Sequence, residues 1–146
     1  MKNENEELEI IYDKVKLPII LILENEKTTF GKSIYRELSI CYDILLYRNY
    51  YKLVNRLNDA ILKNEKIFSI IIYNSLAPVA FLQFWSFVCS NKIFSKLKIF
   101  YYFNHIIYGF EGSRRVFAHP LFKIDHVDLQ ISIISDLIQF KGTGVA

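Results

Sequence analysis

Residues 67–87 read IFSIIIYNSLAPVAFLQFWSF, and they lie in a stretch that has no charged residue from Ile67 to Asn91. Two blocks rich in β-branched and aromatic residues, 67–73 and 79–87, flank the turn sequence NSLAP. Blocks of that length on either side of a proline-bearing turn are typical of a β-hairpin. We therefore predict two adjacent antiparallel strands in one central sheet.

The same uncharged stretch has the length of a membrane-spanning helix. The polar turn and Pro78 interrupt it in the middle, and each flanking block has the length of a strand. We therefore favour the hairpin and expect no membrane span. The membrane interpretation supports one alternative function, that of a small membrane-embedded bacteriocin immunity protein.

Length and composition exclude several classes of protein. The 146 residues fit one domain with a proper core. The net charge is only +3 and the basic residues are scattered, so a nucleic-acid surface is not predicted. Three isolated histidines do not suggest a metal site. Cys41 and Cys89 have apolar neighbours and are predicted to be small buried hydrophobes.

Periodicity and helix breakers predict the remaining elements. Asn49 is a candidate cap for the helix predicted over 50–62. Arg48 and Asn49 are equally candidates for substrate binding. The predicted elements are a strand over 19–23 (with a helix as the alternative), an exposed charged loop over 24–27, a helix with Ile34, Leu38, Cys41 and Leu45 on one face, a helix over 50–62, a short helix over 115–122 and a strand over 127–139.

Three short segments carry a family resemblance. They are LYRNY at 46–50, APVAF at 77–81 and YFNHI at 102–106, the last followed by Gly109-Phe110. Their order and spacing resemble the toxin-activating lysine acyltransferases, which fatty-acylate RTX cytolysins before secretion. The family segments read LHRNW, PVAY and FIDWI, and FKGTG at 140–144 is similar to the family's Phe-x-Gly-Gly. The resemblance runs from about residue 31 to the end, with residues 1–30 as a variable N-terminal segment.

The resemblance implies a single acyltransferase-like domain over residues 1–146, with an α/β fold. It would be GNAT-like, a central mixed sheet flanked by helices in which the hairpin supplies two strands. Family members act in the cytoplasm, take a fatty acyl group from acyl carrier protein and commonly form homodimers. The polar start of the chain is unlike a signal peptide, which also suggests the cytoplasm. No bound cofactor is expected, only acyl carrier protein or another activated donor.

Both catalytic positions of the family are changed. The resemblance aligns Tyr47 with the catalytic histidine and Asn104 with its aspartate partner. A phenol with a pKa near 10 is a poor general base, and an amide can only orient a neighbour. His105, next to Asn104, is the substitute base if the alignment shifts by one residue. A hydrogen-bonded histidine in an aromatic neighbourhood is the structural alternative.

Several other side chains are candidates for binding. Arg48 and Asn49 match the family motif and would position a carbonyl or a phosphate. Arg114 and Arg115 would contact the phosphopantetheine arm of a carrier, with an exposed basic pair as the alternative. His119, His126 and Glu111 are interpreted as surface or loop residues. The aromatic residues are interpreted as core, with an acyl-chain groove as the alternative: Phe81, Phe84, Trp85, Phe87, Phe100, Tyr101 and Tyr102.

The sequence therefore predicts a protein for cytoplasmic maturation of a secreted bacterial toxin. The changed catalytic pair is more similar to the branch that matures siderophore-carrying microcins, where a second maturation protein takes part. The partners would be a toxin or microcin precursor and that second protein. Whether the chain is itself an enzyme stays open, and the alternatives are a non-catalytic binding module of the same fold and the immunity protein.

Overall fold

Two short runs of isoleucine and leucine form the middle of the sheet. In the computed structural model, which describes residues 16–120, IILILE forms strand β1 (Ile19–Glu24) and SIIIY forms strand β3 (Ser69–Tyr73). Every residue of β3 is buried, and so is every residue of β1 after Ile19. Near-continuous apolar runs are typical of parallel strands that are covered on both faces.

Among the described residues, six strands form one mixed sheet in the order β2-β1-β3-β4-β5-β6. The first four in this order are parallel, and β5 and β6 are added antiparallel. The remaining elements are α1 (Phe30–Leu38), β2 (Asp43–Tyr47), α2 (Tyr50–Leu62), α3 (Pro78–Cys89), a 3₁₀ turn (Lys92–Phe94), β4 (Lys98–Phe103), β5 (Ile106–Glu111) and β6 (Arg114–Pro120).

The helices divide the core into two layers. On one face, Leu53 and Leu57 of α2 and Phe84 of α3 pack with β1, β3 and β4. On the other face, Phe30 and Ile34 of α1 cover the same sheet. The chain leaves β1 in one direction and β3 in the other, so a topological switch point lies between them. In open α/β sheets, ligands bind outside the carboxyl ends of the strands at such a point.

Part of the predicted fold is confirmed. The protein has an α/β fold with a mixed sheet and helices on both faces. The strand over residues 19–23 and the helix over 50–62 are present. Asn49 caps that helix, because its Oδ1 accepts the backbone N–H groups of Tyr51 at 2.9 Å and Lys52 at 3.2 Å.

The predicted hairpin is wrong, because its second strand is helix α3. Pro78 occupies the first turn of this helix, where proline is well tolerated. Its buried residues Phe81, Phe84 and Val88 recur at helical spacing. The segment APVAF, which the resemblance placed on a strand, therefore starts a helix. β3 pairs instead with β1 and β4, both in parallel.

Other predictions also fail. The helix after residue 30 ends at Leu38, so Leu45 belongs to strand β2. Residues 115–120 belong to strand β6 and not to a helix, while the predicted strand over 127–139 lies outside the described residues. Both cysteines are exposed and not buried. Glu24, predicted to be exposed, is buried with 1% of its surface accessible.

The uncharged stretch that suggested a membrane span is divided between strand β3 and helix α3. Within residues 16–120, no helix has the length and apolar character needed to cross a bilayer.

Candidate functional site

Tyr47 and the pair Asn104 and His105 lie at the same edge of the sheet but on different strands. Tyr47 ends β2, and the pair joins β4 to β5. β1 and β3 lie between β2 and β4 in the sheet. Three inter-strand spacings of about 4.8 Å set the two strands roughly 14 Å apart. The strand order therefore separates the two positions that the resemblance pairs.

Asn104 and His105 form a tight two-residue turn. Both are exposed, and both have positive φ angles, 51° and 64°. Two successive left-handed residues between antiparallel strands are the signature of a type I′ hairpin, and asparagine and histidine are enriched in that conformation. The backbone turn accounts for both residue types. His105 is thus a solvated turn residue.

Tyr47 is a half-buried phenol beside a cation. It packs against the core that α2 and α3 cover. Burial raises its pKa above the ordinary value of 10.0, and the nearby Arg56 offsets part of that increase. At neutral pH this side chain is a hydrogen-bond donor and not a base. Arg56 is itself paired with Glu65, with Nη1 and Oε1 2.6 Å apart.

The polar group that sequence reasoning missed is Glu24. Its carboxylate lies at the carboxyl end of β1, next to the switch point, and its side chain is fully buried. Oε2 accepts the backbone N–H of Gly31 at 2.6 Å and the hydroxyl of Thr28 at 2.9 Å. Oε1 lies 3.5 Å from Arg48 Nη2 and has no hydrogen-bond partner within the described residues. Two separate chain segments, the start of α1 with the loop before it and the residue after β2, therefore converge on one carboxylate.

Local sequence explains how Glu24 reaches this position. The Gly31 N–H is one of the unpaired donors of the first turn of α1, and a carboxylate is favourable there. A Cβ at Gly31 would overlap Leu46 Cδ1 and lie 3.0 Å from Glu24 Oε1, so a glycine permits the close approach. A polar residue at the end of an apolar strand, followed by a helix start, was the available signal.

Arg48 and Asn49 follow β2 at the same edge. Arg48 keeps 41% of its side chain accessible although it is paired with the buried Glu24. Asn49 uses its side-chain oxygen to cap α2, so the capping interpretation is confirmed. Of these two binding candidates, Arg48 presents charged donors to solvent, whereas the side-chain oxygen of Asn49 is already engaged in the cap.

The loop after β3 lies at the same edge of the sheet, next to the switch point. Asn74 adopts a positive φ of 51° directly after β3. Ser75 Oγ donates to the Leu23 carbonyl at 3.1 Å, which ties this loop to β1. Tyr101 Oη donates to the Leu76 carbonyl at 2.6 Å. These hydrogen bonds give the loop a rigid base beside Glu24.

The pair Arg114 and Arg115 lies at the opposite edge of the sheet. Arg114 and Arg115 are exposed at the start of β6, and Arg114 lies opposite Glu111 of β5. This is the amino edge of the parallel strands, opposite to Arg48. His119, further along β6, is exposed as predicted, and His126 lies outside the described residues. The two basic groups therefore do not form one site.

The aromatic residues form core and not an open groove. Phe81 stacks on Tyr101 with centroids 3.9 Å apart, and the Trp85 ring lies 4.6 Å from that of Phe110. Trp85 Nε1 donates to the Gly112 carbonyl at 2.8 Å. Phe100 and Tyr102 are buried on the opposite face of the sheet.

One further feature lies apart from Arg48. A depression of about 480 Å³ at the amino ends of β1 and β2 is lined by Tyr35, Tyr42, Asp43 and Glu65 among others. Among residues 16–120 there is no group of three or more His, Cys, Asp or Glu arranged to hold a metal ion.

In the comparisons with known proteins, no family model, curated protein or solved structure matches this chain.

Proposed function

We propose that this protein is a binding module that recognises an anionic group through Arg48. Its biological role would be the cytoplasmic maturation of a secreted toxin or microcin, together with a partner protein. One observation carries the proposal: the buried Glu24 carboxylate holds Arg48 at the switch point while 41% of the Arg48 side chain stays exposed.

A guanidinium has five N–H donors in a planar fork, and Glu24 contacts it through one nitrogen. The remaining donors match a carboxylate or a phosphate, which an arginine can bind with two parallel hydrogen bonds. Because Glu24 is rigidly held by Gly31 and Thr28, it restricts the orientations of Arg48 before a ligand arrives. Such preorganisation reduces the entropic cost of binding.

Binding without acyl transfer is favoured by the chemistry at the other candidate positions. Tyr47 is a neutral phenol, Asn104 is an amide, and His105 lies in an exposed turn. Loss of a general base typically costs about 10²- to 10⁴-fold in rate. The toxin-maturation role, the GNAT-like assignment and the acyl carrier protein as donor rest on the sequence resemblance and remain predictions.

The binding proposal is tested with two N-acetylated peptides that differ only in a free or amidated C-terminus, and with inorganic phosphate. NMR titration of the Arg48 side chain should show binding of the free carboxylate or the phosphate, and not of the amide. Arg48→Ala should weaken binding by about tenfold or more, because a hydrogen bond to a charged group contributes about 1.5–3 kcal/mol.

Arg36→Ala is the matched control, since Arg36 is an exposed arginine on α1. It should leave the affinity unchanged. If neither anion binds, or if Arg36→Ala and Arg48→Ala weaken binding equally, the proposal is wrong. A separate assay with acylated carrier protein and a lysine-containing peptide should show no transfer by the protein alone. Rapid acylation by the protein alone would identify it as an enzyme instead.

A further inference from the structure

Basic residues that are scattered in the sequence lie together at the amino edge of the parallel strands. The segment 90–119 contains five basic residues and one acidic residue, so its net charge is +4. The whole chain has a net charge of +3, so all other residues together carry −1. The basic residues of the segment are Lys92, Lys96, Lys98, Arg114 and Arg115, and the acidic residue is Glu111.

Strand pairing places three of these charges side by side. Glu111 pairs with Lys98 of β4 on one side and with Arg114 of β6 on the other. Two inter-strand spacings, roughly 10 Å, therefore separate Lys98 from Arg114. β4 starts, β5 ends and β6 starts at this edge, so the charged positions of all three strands meet there.

Gly112 holds the turn between β5 and β6 against the segment that carries the lysines. Its N–H donates to the Leu97 carbonyl at 3.0 Å. Gly112 has a positive φ of 58°, and a Cβ at this position would overlap the carbonyl oxygen of Ser95. Glycine alone tolerates both the backbone conformation and the close approach. The packing of this turn brings Arg114 next to the segment that contains Lys96.

Four of the five cations are available to an external anion. The side chains of Lys92, Lys96, Arg114 and Arg115, which we call the basic edge, are exposed. None of the four forms an ion pair or a side-chain hydrogen bond with another described residue. Like charges held this close repel one another, and binding of an anion relieves that repulsion.

The surroundings of the basic edge indicate which kind of anion fits. On the described elements at this edge, β4, β5, β6 and the 3₁₀ turn, no large hydrophobic side chain is exposed. A specific protein interface uses buried aromatic anchors, and single-stranded nucleic acid binds to exposed rings by stacking. Helix α3 ends at this edge and has no charged residue with which to read a DNA groove. An anionic lipid surface requires only clustered basic residues near the headgroups.

We infer that the basic edge binds the surface of an anionic phospholipid bilayer. The contact is peripheral, and the phosphate oxygens of the headgroups accept hydrogen bonds from the lysine and arginine side chains. Each basic residue near such a surface strengthens binding roughly fivefold, so four of them give reversible, salt-sensitive binding. Arg48 lies at the opposite edge of the sheet, so this inference is independent of the anion-binding proposal.

The test is co-sedimentation of the full chain with vesicles made of equal parts of phosphatidylglycerol and phosphatidylcholine. Vesicles of phosphatidylcholine alone are the reference. The wild-type protein should bind the anionic vesicles at low salt and dissociate at about 1 M salt, where the Debye length is about 3 Å. The double variant Lys92→Gln/Lys96→Gln should bind about 25-fold more weakly, because two contributions of about fivefold are lost.

The matched control is Lys27→Gln/Lys32→Gln, which removes the same charge from exposed positions after β1 and in the first turn of α1. It should bind the vesicles nearly as well as the wild-type protein. Arg48→Ala should also bind them normally, which separates this inference from the anion-binding proposal. Absence of binding to anionic vesicles at low salt overturns the inference. Equal weakening by the two double variants also overturns it, because net charge alone would then explain the binding.

Two further measurements distinguish the bilayer from other polyanions. Oligothymidylate and polyglutamate are titrated against the wild-type protein and Lys92→Gln/Lys96→Gln. If the lysines are needed for either polymer and the vesicles do not bind, the basic edge belongs to a nucleic acid or an acidic protein, and the inference is wrong. Hydrogen exchange with anionic vesicles should slow at the amides of residues 92–98 and 111–115 and not at those of 25–32. The reverse pattern would place the lipid contact at the other edge.

Discussion

The Gly31 N–H donates to Glu24 Oε2 at 2.6 Å, so a carboxylate at the end of β1 caps the first turn of α1. In nucleotide-binding proteins of doubly wound topology, the phosphate of the ligand occupies the equivalent helix N-terminus. Here a side chain of the protein fills that place. A ligand bound by Arg48, as we propose, would therefore lie beside the helix terminus and not on it.

Gly31→Ala should destabilise the protein. The added Cβ would overlap Leu46 Cδ1 and approach Glu24 Oε1 to 3.0 Å. The half-exposed Leu46 side chain can move, so we expect a loss of about 1–2 kcal/mol in the free energy of unfolding. Urea denaturation measures the change. Lys32→Ala, at the next and exposed position of α1, should be within about 0.5 kcal/mol of wild type.

Glu24 and Arg48 should be energetically coupled. Glu24→Gln removes the charge, and its amide nitrogen faces either the Gly31 N–H or the Arg48 guanidinium, both of which are donors. We expect a loss of about 1–3 kcal/mol for Glu24→Gln. Arg48→Ala should cost less, about 1 kcal/mol, because solvent screens the half-exposed guanidinium.

A double-mutant cycle with Glu24→Gln and Arg48→Ala measures the coupling directly by denaturation. Residues in contact show interaction energies of about 0.5–3 kcal/mol. Strictly additive losses would show that the 3.5 Å ion pair does not contribute to stability. The pair Glu65→Gln and Arg48→Ala is the control, since Glu65 pairs with Arg56 instead.

Stability should fall at alkaline pH because of two buried tyrosines. Burial raises the pKa of Tyr73 and of Tyr101 to about 12, and neighbouring tyrosines add to the increase. The unfolded chain ionises these phenols near the ordinary value of 10.0, so it holds fewer protons than the folded chain between those values. The stabilisation is complete below about pH 10 and is lost as the pH rises toward 12.

Tyr101→Phe tests this mechanism. The variant loses the hydrogen bond to the Leu76 carbonyl, so it should be about 1 kcal/mol less stable at neutral pH. Its stability should also decline less steeply above pH 10, because one perturbed phenol is gone. Thermal melts at several pH values measure both effects. Tyr51→Phe, at an exposed position, should change neither, and an unchanged alkaline slope for Tyr101→Phe would contradict the assignment.

His105→Gly should raise stability if the residue serves only the turn. A left-handed conformation costs a residue with a side chain about 1 kcal/mol, and Asn-Gly is the most favoured type I′ sequence. We expect a gain of up to about 1 kcal/mol, measured by denaturation. His105→Val should be destabilising, because a β-branched residue fits this conformation poorly. A large loss of stability in the glycine variant would indicate a contact beyond the turn.

Local signals predicted the parts of the fold in which one residue type decides the structure. The β-branched run after Pro18 became β1, and Asn49 caps α2 as its position suggested. Helix α3 was misread because its solvent face carries Val79 and Leu82 in place of charges, which hides the helical period. The available signal for a helix was Pro78, because proline is common in the first turn of a helix. The β-forming composition of the segment indicated a strand instead.

The candidate site was less predictable because it depends on contacts between distant segments. Glu24 is charged, and charged residues are rarely buried unless they are paired. Its partners Gly31 and Arg48 come from a helix and from another strand end, so only the folded sheet brings them together. Tyr47 and Asn104 failed as a pair for the same reason, since strand order and not sequence spacing decides their separation.

The strand order of the mixed sheet also affects how the chain folds during its synthesis. β4, β5 and β6 are joined by tight turns and make local contacts, which form quickly. β1 instead pairs on its inner side with β3, so the partner of Ile20 on that side, Ser69, is synthesised much later. An apolar strand that leaves the ribosome early is exposed until its partner arrives, and such segments are prone to aggregate. We therefore expect protein yield in cells to depend on translation rate and on chaperones.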